Sequence, residues 1–268
     1  MINAGVLGSP ISHSLSPLLH KTAYDFLGIE AKYSAYEVPA GGLADFLANQ
    51  GKDLNCLSLT MPLKEDALKI ADHISPIAQQ IASGNTLYKK DNSWHLTSTD
   101  VEGFIFALSA LGKFEPRTVL IIGAGATARA VAAACNYSSI SITVVGRSES
   151  RHQSILHAAP NAIIDFVEWN SQLDLDSYDL VVNTTPGDSA SVFLEKVEAP
   201  QGTFFEVIYN PWPTLLLDKW RNVGGTFVDG LDLLVHQAIS QIEIFAGQRV
   251  ERVTMAQLLR EQGLRALQ

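Results

Sequence analysis

Lys64 stands at a position that its charge does not explain. It follows an apolar run and Pro62, and two acids, Glu65 and Asp66, come directly after it. Proline and acidic residues suit the first turn of a helix, which we predict over residues 62–71. A lysine is disfavoured in that turn, because the amino end of a helix carries partial positive charge. The position therefore raises the question of a chemical role for Lys64.

A glycine-rich turn in the middle of the chain indicates a nucleotide site. Residues 119–130 read VLIIGAGATARA, which matches G-x-G-x-x-A between a predicted strand and a predicted helix. Gly123 permits the tight turn, Gly125 lets a pyrophosphate approach the backbone, and Ala128 lets the helix pack closely on the strand. Free N–H groups at the start of the helix would bind the phosphates. The pattern predicts dinucleotide binding, and a purely structural turn is the alternative.

The segment after the next strand distinguishes between NAD and NADP. An NAD site usually carries an acid near this strand end, for the ribose 2′-hydroxyl. This chain instead has Arg147, followed by Ser148 and, one helical turn later, Arg151. Two guanidinium groups and a hydroxyl suit a 2′-phosphate, so the pattern favours NADP. Glu149 is the one residue here that favours NAD, and an ordinary ion pair at the start of a surface helix is the structural alternative.

Polar side chains recur at element ends in the first hundred residues. Ser14 and Ser16, within the stretch SPISHSLSP, are neutral donors that suit a carboxylate ligand, although capping and turn formation also explain an isolated run of serines. Asn85 opens a predicted strand, and Asp100 follows a stretch of hydroxyl residues. Taken singly, the roles of turn residue and helix cap account for these two.

These residues are positioned by an alternation of strands and helices, the pattern of an α/β fold. We predict strands near residues 3–7, 32–37, 55–59, 85–90, 118–122, 140–145, 162–166, 180–183, 203–207 and 226–228. We predict helices near residues 16–27, 41–49, 62–71, 101–111, 126–135, 148–157, 231–246 and 255–267. The helix 101–111 separates two series of elements, so we expect one domain over residues 1–100 and another over 101–230. The helices within 231–268 are expected to pack back on the first domain.

Composition and charge exclude several classes of protein. The chain has 268 residues, 47% of them apolar and 18% charged, which is typical of a soluble globular protein of one large or two modest domains. Its net charge of −9 argues against nucleic acid or an anionic membrane as the main partner. The sequence shows no secretory signal, and its most apolar run contains Arg129, so we expect a cytoplasmic protein without a membrane span.

The histidines and cysteines form no metal-binding pattern. The seven histidines show no close ligand spacing, and we expect no metal site. Cys56 and Cys135 both lie in apolar stretches. We expect them to be small buried residues without a disulfide.

Taken together, the motifs resemble the shikimate dehydrogenase family. That family carries stretches similar to SPISHSLSP, N-V-T-x-P-x-K, N-T and N-T-D-x-x-G, in this order. The resemblance continues through GAGATARA at 123–130, VVNTTPGD at 181–188, FEVIYNPWPTLLL at 205–217 and DGLDLLVHQAISQIEIFAG at 229–247. It covers most of the chain, with similar spacing.

The resemblance implies a fold, a reaction and a cofactor. The fold would be α/β with two domains, an N-terminal α/β substrate-binding domain and a Rossmann-like, doubly wound domain that binds NADP. The reaction would be the reversible reduction of 3-dehydroshikimate to shikimate with NADPH, in the shikimate pathway of aromatic amino-acid biosynthesis. The partner would be the small-molecule substrate, shikimate or 3-dehydroshikimate, held in a cleft between the domains of a monomer or homodimer.

The resemblance also implies a role for each matching residue. The pair that transfers the proton at the C3 oxygen would be Lys64 and Asp100. The groups that hold the shikimate carboxylate would be Ser14, Ser16 and Tyr209. The groups that bind ring hydroxyls would be Thr60, Asn85 and Gln237. The residues that face the cofactor would be Gly123, Ala124, Gly125, Ala126, Thr127, Arg147, Ser148, Arg151, Thr184, Val207 and Gly230.

Four positions depart from the family pattern. Ser58 replaces the asparagine before V-T, so a shorter hydroxyl or a water would take one amide contact to the ring. The other three are Ser98 for an asparagine before Thr99, Gly146 for an asparagine before Arg147, and Leu233 for a frequent methionine near the nicotinamide. None of the four removes a charged catalytic group.

Two alternatives stay open. A quinate/shikimate dehydrogenase, or a related enzyme acting on an aminated ring, would use the same groups with NAD or NADP, and Ser58 leaves the ring ligand undecided. A non-catalytic nucleotide sensor belongs to another class of protein. It predicts the loss of Lys64 or Asp100, and both are present.

Overall fold

The described part of the chain divides into two compact units. The structure is a computed structural model that describes residues 1–112 and 114–268, and the side chain of Glu149 lies outside that description. One unit comprises residues 1–103 and 234–268, and the other comprises residues 104–233. Binding of substrate by the first unit and of NADP by the second stays a prediction.

The first unit contains a mixed sheet of six strands. The strands are β1 (Ile2–Gly8), β2 (Ala31–Glu37), β3 (Cys56–Leu59), β4 (His73–Ile74), β5 (Thr86–Lys90) and β6 (Ser93–Thr97). Their order in the sheet is β2-β1-β3-β5-β6-β4. Strand β5 runs antiparallel to β3 and β6, and the other neighbours pair in parallel. The sequence predicted neither β4 nor β6, because both are short and β6 is largely polar.

Helices surround this sheet, and two of them come from the end of the chain. The helices are α1 (Ser16–Leu27), α2 (Leu43–Ala48), α3 (Pro76–Gln80), the start of α4 (Asp100–Ser109), most of α8 (Gly230–Ala246) and α9 (Arg252–Leu267). The chain leaves the first unit within α4 and returns within α8. Helix α9 packs against α1 in this unit.

The predicted helix over residues 62–71 is wrong. The chain forms turns up to Glu65 and then a short 3₁₀-helix, Asp66–Lys69. The carbonyl of Lys64 accepts a 2.9 Å hydrogen bond from the N–H of Gly84, a residue of a different segment. Because this tertiary bond takes the place of an i to i+4 helical bond, Lys64 does not lie in the first turn of an α-helix.

The second unit contains a parallel sheet of six strands with helices connecting them. The strands are β7 (Thr118–Ile122), β8 (Ser141–Gly146), β9 (Ile163–Glu168), β10 (Leu180–Asn183), β11 (Thr203–Glu206) and β12 (Thr226–Val228). The helices are α5 (Ala126–Ala134), α6 (His152–Ala158) and α7 (Leu215–Asn222). The strand order is β12-β11-β10-β7-β8-β9, and every pair is parallel. The predicted α/β fold with a Rossmann-like second half is confirmed.

Strand β7 shows how burial on both faces fixes this sheet. Val119 and Ile121 belong to the apolar core on one face, and Leu120 and Ile122 belong to the core on the other. Successive strand residues point to opposite faces, so an unbroken apolar run can fill both cores. The end of β7, where the glycine turn begins, is therefore held from two sides.

Candidate functional site

Lys64 and Asp100, the predicted proton-transfer pair, lie side by side in the first unit. Lys64 Nζ is 2.6 Å from Asp100 Oδ2, and the two side chains are 16% and 7% exposed. Lys64 lies in the turn after β3, whereas Asp100 is the first residue of α4. A carboxylate suits the amino end of a helix. The Asp100 N–H donates to Ser98 Oγ, so the serine that departs from the family pattern supports this helix start.

Asn85 connects this ion pair with Gln237. Its side chain is 1% exposed, and Nδ2 lies 2.8 Å from Asp100 Oδ1 and 2.8 Å from Gln237 Oε1. Its Oδ1 accepts from the backbone N–H of Thr99 at 2.8 Å. An oxygen must face that N–H group, so the orientation of the amide is fixed. Asn85 therefore holds Asp100 and Gln237 in one hydrogen-bonded group.

The other predicted substrate residues are divided between the two units, with Ser14, Ser16 and Thr60 in the first and Tyr209 in the second. Thr60 directly follows β3, and its N–H donates to Leu7 O at 2.9 Å. Ser14 precedes α1, and its hydroxyl accepts from the N–H of Ser16 at 3.3 Å. Tyr209, predicted to bind the same carboxylate as these serines, lies in the second unit, after β11.

The glycine turn of the second unit has the geometry that the sequence predicted. Gly123 follows β7 with φ +108°, a conformation that favours glycine. A Cβ at this position would lie 2.5 Å from Thr184 Oγ1, and that hydroxyl donates to Ile122 O at 2.8 Å. At Gly125 a Cβ would meet nothing within 4 Å, so open space faces the turn. The first N–H groups of α5 have no partner within their own helix, so this bare backbone fits a pyrophosphate.

The predicted cofactor residues of the second unit share one edge of its sheet. They follow the carboxyl ends of five parallel strands: Gly123 to Thr127 after β7, Arg147 and Ser148 after β8, Thr184 after β10, Val207 after β11, and Gly230 after β12. In the sheet, β7 lies between β10 and β8. The chain thus turns to opposite sides of β7, and ligands of doubly wound sheets bind outside the carboxyl edge at such a point.

Arg147 lies over an aromatic ring that the sequence analysis did not include. Its guanidinium carbon is 5.9 Å from the centre of the Trp169 ring, at the end of the neighbouring strand β9. A cation over the face of a tryptophan at this distance is attracted by the ring. Arg151 ends the short 3₁₀-helix after Ser148, and the predicted contribution of Glu149 falls on a side chain outside the described part.

The structure also explains why position 146 is a glycine. A Cβ at this position would overlap the ring of Phe166, which belongs to the adjacent strand β9. The aromatic ring occupies the space that an asparagine side chain would need. The departure from the family pattern at Gly146 is therefore matched by its neighbour.

Glu206 is a buried carboxylate that the sequence analysis missed. It ends β11 and accepts hydrogen bonds from Asn183 Nδ2 at 3.0 and 3.1 Å, Thr214 Oγ1 at 2.6 Å and Ile208 N at 3.1 Å. Burial raises the pKa of Glu206 to about 7, although these donors act in the opposite direction. Its carboxylate ties β10 and β11 to both ends of the loop that carries Tyr209.

The ionisation of Glu206 should make the stability of the protein depend on pH. Its folded-state pKa of about 7 lies above the ordinary value of 4.5, so the folded protein binds this proton more tightly than the unfolded chain does. Stability from this group is therefore greatest at low pH and falls as the pH rises through about 7. Glu206→Gln cannot ionise, so its free energy of unfolding relative to the wild type should increase between pH 5 and pH 8, by about 1–3 kcal/mol.

Urea unfolding followed by tryptophan fluorescence measures this difference at each pH. Glu168→Gln is the matched control, because Glu168 is an exposed residue that ends β9, the edge strand of the same sheet. The control should run parallel to the wild type over the whole range. The assignment is wrong if Glu206→Gln does the same.

The described residues contain neither a cluster of metal ligands nor a helix that could span a membrane. Residues 1–112 and 114–268 hold no group of three or more histidine, cysteine, aspartate or glutamate side chains that could bind a metal ion. Over the same residues, every helix is too short or too polar to cross a bilayer.

Comparisons with known proteins identify the family. Residues 6–87 match the shikimate dehydrogenase substrate binding domain, and residues 106–203 match the shikimate/quinate 5-dehydrogenase family. A shikimate dehydrogenase (NADP(+)) from Microcystis aeruginosa is 32% identical over 96% of both chains. These matches confirm the family that the motifs predicted.

Solved structures agree with the sequence matches. A Thermus thermophilus shikimate 5-dehydrogenase in complex with NADP(H) and shikimate superposes with a TM-score of 0.86, at 29% identity over the whole of both chains. A 5-ketofructose reductase from Gluconobacter is also similar, with a TM-score of 0.81 and 25% identity over 97% of this chain and 98% of that one. The chain therefore belongs to the shikimate dehydrogenase family of oxidoreductases.

Proposed function

We propose that this chain catalyses the reversible reduction of 3-dehydroshikimate to shikimate with NADPH, a step in the biosynthesis of aromatic amino acids. The observation that carries this proposal is the 2.6 Å pair of Lys64 and Asp100, hydrogen-bonded through Asn85 to Gln237. The names of the relatives support the choice of substrate and cofactor, since both the Microcystis and the Thermus proteins are shikimate dehydrogenases.

The proton chemistry follows from the ion pair. NADPH, when bound, supplies a hydride to the carbonyl carbon of the substrate. The carbonyl oxygen then gains negative charge and needs a proton, which the Lys64 ammonium donates in reduction and takes back in oxidation. Asp100, 2.6 Å away, keeps that ammonium in place. The Asn85 amide in turn holds the second oxygen of Asp100, so the carboxylate keeps one orientation during the transfer.

We propose that the substrate-binding residues act as the sequence predicted. Ser14, Ser16 and Tyr209 offer hydroxyl donors to the carboxylate of shikimate. Thr60 and Gln237 offer a hydroxyl and an amide to the ring. Asn85 is 1% exposed, and its amide already binds Asp100 and Gln237. Asn85 therefore contributes to binding of the substrate ring by orienting these two side chains.

The cofactor contacts belong to the carboxyl edge of the parallel sheet. The turn of residues 123–127 would bind the pyrophosphate through backbone N–H groups. Arg147, Ser148 and Arg151 would bind the 2′-phosphate, which distinguishes NADP from NAD. Thr184, Val207 and Gly230, at the ends of the other strands, would line the nicotinamide half of the site.

Steady-state assays with two substrates and two cofactors test this function. We expect oxidation of shikimate with NADP to have the highest kcat/KM of the four combinations of shikimate or quinate with NADP or NAD. Similar values for quinate would favour the quinate/shikimate alternative. Absence of turnover with both substrates and both cofactors would overturn the proposal.

A further inference from the structure

A buried chain of hydrogen bonds in the first unit ends on Asn85. Tyr33 on β2 donates its hydroxyl to Ser58 Oγ at 2.7 Å, and Ser58 on β3 donates to Gln241 Oε1 at 2.7 Å. Gln241 on α8 then donates through Nε2 to Asn85 O and to Thr86 Oγ1, both at 3.0 Å. We call Tyr33, Ser58, Gln241 and Thr86 the Gln241 network. Three of its members are buried, and Gln241 itself is 0% exposed.

Each group of this network has one possible orientation. A backbone carbonyl oxygen can only accept hydrogen bonds, so the nitrogen of the Gln241 amide must face Asn85 O. The oxygen of the same amide must then face Ser58. The Thr86 hydroxyl receives a hydrogen bond from Gln241 and donates its own proton to Asn85 Oδ1 at 2.8 Å. Gln241 thus controls both the backbone and the side-chain oxygen of Asn85. The Asn85 nitrogen is left facing Asp100 and Gln237.

His20 supports this arrangement without adding a charge. Its ring stacks on Tyr33 with centres 4.1 Å apart, and its Nε2 lies 3.4 Å from Gln241 Oε1. The His20 Nδ1 is 3.2 Å from the Tyr24 hydroxyl. Burial lowers the pKa of His20 to about 3, so the ring stays neutral at physiological pH. The groups around Gln241 therefore keep one pattern of donors and acceptors over the pH range in which an enzyme is assayed.

We propose that Gln241 is a positioning residue for the Lys64–Asp100 pair, and that Ser58 and Tyr33 act through Gln241 and not by contact with the substrate. This inference rests on the proposed function. Ser58 is 4% exposed, and its hydroxyl already binds Tyr33 and Gln241. The serine that replaces an asparagine of the family pattern is thus part of the support of Asn85.

Single and double variants test the route through Gln241. Ser58→Ala removes the donor to Gln241, and we expect kcat for shikimate oxidation to fall about tenfold with KM changed less than about twofold. Tyr33→Phe removes only the outer hydroxyl and should lower kcat about threefold. The double variant should be no slower than Ser58→Ala, because both changes act through the same amide.

Tyr36→Phe is the matched control, since it makes the same change on the same strand, where the ring packs against Phe46. It should leave kcat unchanged. The dissociation constant for NADP should stay within about twofold in all variants, which shows that the second unit is intact. If Ser58→Ala does not fold, Tyr33→Phe against Tyr36→Phe decides the question on its own.

Four results would overturn the inference in different ways. A raised KM with an unchanged kcat in Ser58→Ala would mean that Ser58 touches the ring. Multiplicative effects in the double variant would mean that the two hydroxyls act independently. An active wild type with an unaffected Ser58→Ala would refute the positioning role alone, whereas a wild type without shikimate turnover would refute the proposed function first.

The side-chain amide signals of Asn85 and Gln241 in an NMR spectrum should shift in Ser58→Ala whatever the substrate, and unshifted signals would refute the network itself.

Discussion

Replacing Lys64 with alanine should lower kcat for shikimate oxidation by a factor of about 10²–10⁴. In the proposed mechanism the ammonium gives a proton to the substrate oxygen and takes it back, and alanine leaves water in its place. Asp100 keeps its hydrogen bond from Asn85, so the carboxylate is not stranded when its cation is removed. Binding of shikimate and NADP should persist, because the carboxylate and phosphate contacts are made elsewhere. Stopped-flow and steady-state rates give kcat, and titration calorimetry gives the two dissociation constants.

Lys69→Ala supplies the control for this experiment. Lys69 belongs to the same segment of chain, and its side chain is 81% exposed beside Asp66. The substitution removes the same charge at a position with no part in the site, so kcat should stay unchanged. Activity of Lys64→Ala within a few-fold of the wild type would remove Lys64 from the mechanism.

The sequence predicted the six strands of the second unit and α5, although not α7, because the signals of those elements are local. Strand β7, the glycine turn and α5 follow one another within 17 residues, from Thr118 to Ala134. The turn needs Gly123 for its positive φ, and the unbroken apolar run needs burial on both faces. Each requirement is met by residues that are neighbours in the sequence, so these elements can be predicted without knowledge of the rest of the chain.

The errors in the first unit have the opposite cause. Strand β4 consists of two residues that pair with residues of β6 22 positions further along the chain, and neither strand has an apolar pattern of its own. The helix expected at Pro62 gives way to a hydrogen bond between Lys64 and Gly84. Local preference is a weak guide wherever a distant segment offers the backbone a better partner.

The sequence singled out the residues of the candidate site, but it did not predict the hydrogen bonds among them. Lys64 and Asp100 were predicted as a pair, and the structure brings them together. Asn85 was predicted to bind a ring hydroxyl, yet its amide is buried between Asp100 and Gln237, a residue 152 positions away. Gln241 lies one helical turn after Gln237, and this spacing is the signal that would have found it. Which donor meets which acceptor depends on the tertiary fold, and a single sequence does not contain that information in a readable form.

Arg147→Ala should weaken NADP binding by about 10- to 150-fold and leave NAD binding nearly unchanged. A hydrogen bond to a charged group contributes about 1.5–3 kcal/mol, and about 1.4 kcal/mol corresponds to a factor of ten. Only the 2′-phosphate distinguishes the two cofactors, so a loss confined to NADP places Arg147 at that phosphate. The Trp169 ring, 5.9 Å from the guanidinium, attracts this side chain at the end of β8.

Titration calorimetry with NADP and NAD gives both dissociation constants without turnover. Arg221→Ala is the matched control, because Arg221 is an exposed arginine of the same unit whose guanidinium lies 5.3 Å from the Phe227 ring. The control should bind both cofactors as the wild type does. Equal losses for NADP and NAD in Arg147→Ala would place the arginine at a part that the cofactors share, and an unchanged NADP constant would remove it from the site. Since phosphate contacts weaken with salt, the advantage of the wild type over Arg147→Ala should also shrink as ionic strength rises.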